Sequence, residues 1–309
     1  MKKRFVVSLC MACSLFAAEG QNGAPNESPR ALTASELSYQ HYFKQADSLM
    51  GKYQFQASIQ ACENALQFNP KDYLVHAIMC LDYYEIAEVM DVKKQRNDKV
   101  AIYEKIARIA AQGIENAPQR GECYFFRGLA HARLTTTNGI LYSLFRGKGV
   151  ENDWLRAVQC TSEYITPNGE NLQASTCIAL GSYYRLCPSF FLLRIIFGIS
   201  GDLDKSVDFC KRGYQLDPRI EITKEYGISL ITRGISRKNQ AEIEQGKNLL
   251  RLVPTLHKRL RTDAIDIEHS KILLDNIKLC PDYSRDQQQD ISEETYMKTV
   301  RANSASREK

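Results

Sequence analysis

The side chains able to do chemistry are scattered along this chain rather than gathered into a reactive set. His41, His76, His131, His257 and His269 stand far apart, and no two have the spacing that puts metal ligands on one helix face. Gly147-Lys148-Gly149 is too short to cradle a phosphate. Cys10 and Cys13 are spaced like a redox pair but sit inside an apolar leader. The other eight cysteines (Cys62, Cys80, Cys123, Cys160, Cys177, Cys187, Cys210 and Cys280) are even in number, which in an exported protein points to disulfides. Cys62 and Cys210, however, fall on helix faces that should be buried, where cysteine acts as a small hydrophobe. Most thiols are therefore expected to be free, with one or two bridges, and their spacing forms no zinc set. The expectation is a protein that is not an enzyme and carries no cofactor or metal.

Recognition chemistry is better represented. Three aromatic pairs, Tyr83-Tyr84, Tyr124-Phe125 and Tyr183-Tyr184, are accompanied by Arg127, Arg133 and Arg185. Tyrosine offers an apolar body with a polar tip, and arginine a planar fork for carboxylates. The candidate contact residues are Tyr84, Tyr124, Phe125, Arg127 and His131, then Tyr183, Tyr184 and Arg185. Two more, Phe191 and Arg194, come from the apolar stretch SFFLLRIIFGIS at 189–200. For each of them the competing role is core packing. The 189–200 stretch has three readings: a plug closing the end of a groove, the lining of an apolar-ligand cavity, or a docking patch for a membrane or partner.

These residues need elements to position them, and the clearest element is GDLDKSVDFCKRGYQLDP at 201–218. Leu203, Val207, Cys210 and Tyr214 recur at helical spacing, Ser206 and Gly213 leave room for a neighbouring helix, and Pro218 stops the run. The same frame occurs at Ser58, Ile59, Cys62, Ala65, Leu66 and Pro70, and more loosely at Ile106, Ala107, Ala110, Gly113, Ile114 and Pro118. Three copies in one register are an internal repeat, which predicts a helical solenoid.

The frame resembles the second helix of a tetratricopeptide repeat (TPR). Tyr124, Gly128 and His131 resemble the first-helix positions of that family, as do Ala179, Leu180, Gly181 and Tyr184, and Gly227. The likeness covers roughly residues 36–279, although the closing prolines at 70, 118, 218 and 254 are uneven against a family unit of about 34 residues. It implies an all-α, right-handed α-solenoid of about four irregular TPR-type hairpins with two inserts and a C-terminal capping helix. In that family the first helices line a concave groove that grips a protein or peptide segment.

Taken in order, residues 1–20 have a basic start at Lys2–Arg4, a short apolar run and a small-x-small site at Ala18-Glu19-Gly20, the design of a signal peptide. An alternative makes Cys13 a lipidated N-terminus. Residues 21–34 form a polar tether, 35–280 the helical domain and 281–309 a polar tail. Helices are expected at 39–49, 54–68, 73–90, 98–115, 153–164, 172–186, 201–218, 221–232, 242–252 and 264–279. Thr135–Val150, with three threonines and three glycines, is expected to interrupt the stack with at most one short amphipathic turn.

The formal charge of +5 on 309 residues is mild, and losing residues 1–20 would leave about +3, with acids and bases interspersed. That is not a nucleic-acid footprint. The resulting expectation is a non-catalytic scaffold or adaptor of the bacterial cell envelope, exported to the periplasm and membrane-associated only through the alternative lipid anchor. The second expectation is a periplasmic protein with a small apolar ligand between long helices, similar in layout to TPR-like lipoproteins associated with TRAP transporters.

Overall fold

The computed structural model describes residues 32–138, 140–162, 164–187 and 198–285, without the side chains of 92, 93, 138 and 140–145. The leader, residues 21–31 of the tether, Phe191, Arg194 and the tail after Arg285 lie outside the described residues. Among the described residues there are eleven α-helices and no strands. They run α1 (Ala34–Gly51), α2 (Phe55–Phe68), α3 (Tyr73–Glu88), α4 (Val92–Asn116), α5 (Glu122–Asn138) and α6 (Ile140–Gln159). There follow α7 (Leu172–Leu186), α8 (Leu203–Leu216), α9 (Ile220–Arg237), α10 (Gln240–Leu252) and α11 (Asp263–Asp275).

Short polar caps start five of these helices. Thr33 and Glu36 form a capping box on α1, while Asp72, Asn171, Asp202 and Asn239 accept from the first free amides of α3, α7, α8 and α10. Consecutive helices pair, α1 with α2 through α9 with α10, and each first helix also touches the next first helix. The chain is therefore an all-α solenoid of TPR-like hairpins, with α1, α3, α5, α7 and α9 along its inner side.

The small positions of the repeat frame are where helices meet most closely. A Cβ on Gly181 would lie 2.3 Å from Cys210 Sγ and 3.1 Å from the Ser206 carbonyl, so α7 and α8 approach at a distance only glycine allows. Gly213, in the frame itself, faces Ala174 and Ile178 of α7 in the same way.

Four expectations are corrected. There are five hairpins, not about four, because 135–150 is no interruption: α5 runs on to Asn138 and α6 begins at Ile140. The hydroxyls of Thr135, Thr136 and Thr137 bond back to the Ala132 and Arg133 carbonyls, so the threonines are satisfied inside the helix. Gly147 and Gly149 stay helical, Gly147 with Ile199 pressed against it. Tertiary packing here outweighs poor propensity. Conversely the helix expected to reach Tyr164 ends at Gln159. The thiols of all eight described cysteines are free, so the one or two expected bridges are absent among them.

The fourth correction concerns the C-terminus. After α10 the chain leaves the stack through the short turn Val253–Thr255 and runs back across the inner side. Arg259 donates to the Gly169 carbonyl and to Asp217, and Arg261 pairs with Glu85 of α3 at 2.7 Å. After α11 the chain re-enters the concave side. Arg185 donates to the carbonyls of Cys280 (3.0 Å) and Tyr283 (2.7 Å), and Tyr283 is buried. Residues 281–285, expected in the polar tail, are thus part of the packed domain.

Candidate functional site

Beneath the returning C-terminal segment lies a cavity of about 780 Å³, within the roughly 300–1,000 Å³ range of ligand pockets. One side is apolar and comes from the α5–α6 hairpin, whose joining stretch 135–150 was expected to interrupt the stack, together with α7. Phe126 and Leu129 of α5, Val150 and Trp154 of α6, and Ile178 of α7 face it. Trp154 is fixed by its indole N–H donating to the Phe125 carbonyl at 3.2 Å and meets Tyr183 edge-on.

The other side is charged. Arg133 of α5 bridges Glu88 (2.9 Å) and the Tyr84 hydroxyl of α3, and Tyr103 donates to the second Glu88 oxygen. Burial alone would raise the Glu88 carboxyl; the Arg133 and Arg285 charges instead hold it below its ordinary value. Arg285 reaches Glu221 at 3.3 Å. Glu221 is likewise held down to about 2, its burial outweighed by Arg285 and Arg219. Arg219, at the start of α9, contacts Asp217, Glu221, Glu170 and the Ser175 hydroxyl. Glu170 differs from the other acids: burial pushes it up to about 7 despite Arg219 at 3.3 Å. Arg185 joins Glu225 at 3.1 Å. The thiol facing the cavity, Cys187, is pushed by burial up to about 11 and is not a ready nucleophile.

Of the ten candidate residues, the structure brings Tyr84, Phe125, Tyr183 and Arg185 to this cavity. Four others are elsewhere. Tyr124 donates to the Pro118 carbonyl beneath Arg127, and Arg127 makes a two-pronged pair with Asp153 at 2.6 and 2.9 Å. His131 lies 3.9 Å from the same Asp153, its ring held below the ordinary value by burial. Tyr184 is core, donating to Glu151 and stacked on Phe209. Each aromatic pair therefore splits, one ring facing the cavity and its neighbour turned about 100° around the helix. Phe191 and Arg194 lie outside the described residues.

The acids Glu85, Glu88, Glu170, Glu221 and Glu225, with Arg219, Arg261 and Arg285, were missed. A signal existed for some of them. Tyr84 and Glu88, and Glu221 and Glu225, are each four apart in helices otherwise rich in apolar residues, which puts each pair on one inward face. Arg261 and Arg285 carry no such signal, because their place depends on the chain's return. Among the described residues there is no group of His, Cys, Asp and Glu able to hold a metal ion.

No family model and no curated protein matches this chain. Among solved structures, that of the MamA protein is similar with a TM-score of 0.42 and 12% identity, over 72% of this chain and 97% of that one. PilF of Pseudomonas aeruginosa is similar with a TM-score of 0.46 and 9% identity, over 87% of this chain and 100% of that one. Both likenesses are distant and say nothing of a ligand; the solenoid assignment rests on the helical pairs themselves.

Proposed function

We propose that this chain is a non-catalytic binding protein that holds a small, largely apolar molecule in the cavity on its concave side. One observation carries the reading: the returning C-terminal segment occupies the inner side, leaving a cavity of about 780 Å³ rather than an open groove along the stack. The charged wall supports binding rather than catalysis, because its carboxylates are taken up by arginines and its thiol is held protonated.

A second reading, the adaptor for a polypeptide, keeps one specific support. Arg185 already grips an irregular stretch of chain by its carbonyls, the chain's own residues 280–283. In both readings the protein is exported to the periplasm or cell envelope, with Cys13 as the alternative lipid anchor; the support is the leader-like sequence of residues 1–20. Among the described residues no helix is long and apolar enough to cross a membrane.

Native mass spectrometry of the mature protein from its own envelope, followed by denaturation and extraction, tests the choice. A released small apolar molecule supports the cavity reading. A stoichiometric polypeptide and no small molecule would replace it with the adaptor.

A further inference from the structure

The charged face of the cavity is already neutralised from within. Among the described residues that line it, five are glutamates and five are arginines, so their charges cancel. They also meet as pairs. Glu88 holds Arg133 at 2.9 Å, Glu85 holds Arg261 at 2.7 Å and Glu225 holds Arg185 at 3.1 Å. Arg219 lies 3.3 Å from Glu170, and Arg285 lies 3.3 Å from Glu221. Two of the guanidiniums are held from behind as well, Arg185 by the Cys280 and Tyr283 carbonyls and Arg219 by Asp217.

A charged guest would have to break one of these pairs. A carboxylate reaches an arginine only in place of a glutamate, and an ammonium reaches a glutamate only in place of an arginine. At four of the five pairs the charge left behind is largely buried, and a buried charge deprived of its partner is strongly disfavoured. An uncharged guest leaves all five pairs intact. The remainder of the lining suits it. The α5–α6–α7 wall is apolar, and where the cavity meets solvent it is lined by Val89, Leu186 and Ile265, which are 65%, 39% and 39% exposed.

Resting on the cavity reading above, we propose that the ligand class is an electrically neutral lipid: a hydrocarbon body whose polar group, where it has one, is an uncharged hydroxyl or carbonyl. The body lies along the α5–α6–α7 wall and gives the affinity. The paired wall gives the selectivity, by making every charged relative pay for a broken pair.

The test is calorimetric titration of the purified full chain at pH 8, after extraction of endogenous lipid. Three probes share one chain length and are kept below their micellar concentrations: hexadecanol, palmitate and hexadecyltrimethylammonium. At that pH Glu170, which burial raises to about 7, carries its charge and the pairs are complete. Hexadecanol should bind tighter than either charged probe by about tenfold or more. Glu225→Gln, checked for folding by circular dichroism, leaves the lining one positive charge in excess and should shift preference toward palmitate and away from the cation. Ala179→Phe, on the apolar wall and checked in the same way, should weaken hexadecanol. Palmitate or the cation binding as tightly as hexadecanol, or no shift in folded Glu225→Gln, overturns the neutral-ligand assignment and leaves the cavity reading standing. Binding of none of the three, or hexadecanol binding untouched by Ala179→Phe, overturns the cavity reading itself. If a variant fails to fold, the probe order on the unaltered protein decides alone.

Discussion

The stack from α1 to α7 and the region beyond it are filled differently. The first is joined by one continuous apolar core running from Ala46 through Ile78, Tyr103 and Leu134 to Tyr184. The second has three small apolar clusters, and between them lies a buried polar network. Lys224 is fully buried on α9 and donates to Asp266 of α11 and to the Tyr283 hydroxyl, which in turn lies 2.9 Å from His269 Nδ1. Asp266 also meets Arg285. A repeat core is non-directional and tolerates slippage, whereas a buried charge is tolerable only beside its own partner. The network thus fixes one placement of the returning segment, and the cavity exists only because that segment is so placed.

The sharpest way to break the contrast is Asp266→Ala, which takes from the buried Lys224 ammonium its shortest carboxylate partner and leaves it Glu225 at 3.3 Å and the Tyr283 hydroxyl. Urea unfolding should lose about 3–5 kcal/mol, with hydrogen exchange rising first in 257–285. Exchange rising equally through α3 and α5 would show that the two regions are one cooperative unit. Replacing both partners by apolar residues, Lys224→Met with Asp266→Leu, should recover part of the loss. In the apolar region Ile78→Ala should cost about 2–5 kcal/mol by leaving a void, and no second substitution of charge should rescue it.

The two regions should also respond to pH in opposite directions. Burial pushes the Asp82 carboxyl on α3 up to about 8 from 3.8, against the opposing pull of the Ser58 hydroxyl. Its folded value is raised, so its contribution is full below the unfolded value and is lost as pH rises through about 8. Asp82→Asn should flatten that slope in a melting series from pH 4 to 8. Burial, then the Lys224 charge, holds His269 down to about 4 from 6.5. Its contribution is present above the unfolded value and is lost as pH falls through about 4. Acid should therefore loosen 263–285 first, and His269→Gln should remove that part of the response. The smallest effect is expected at Arg261, half out in solvent, where Arg261→Ala should cost about 1 kcal/mol or less in global stability. Its signature is faster exchange at 257–262 alone.

Much of the architecture was legible. The small-aliphatic-Cys-small frame at 58–70 and 206–218 marks α2 and α8, because periodicity and close-approach residues are local properties of a helix face. The candidate site was only half legible. That Tyr84, Phe125 and Tyr183 are inward and Tyr83, Tyr124 and Tyr184 are not depends on the rotation of each helix about its axis. Adjacent aromatics leave that rotation open, and only packing against neighbours fixes it. Thr135–Val150 misled for the same reason: its threonines and glycines are weak helix formers alone, yet its helices are held by contacts with Ile199 and Tyr183.

The sequence by itself therefore determined the helical hairpins, their small contact positions and the caps that start them, since each is set within a few turns of chain. Only the tertiary structure decided that residues 257–285 fold back across the inner side. The pairs that hold them, Arg261 with Glu85 and Arg185 with the Tyr283 carbonyl, join residues 176 and 98 apart. Contacts of that span leave no period in a sequence, because a charged residue looks the same on a solvated face as beside a buried partner.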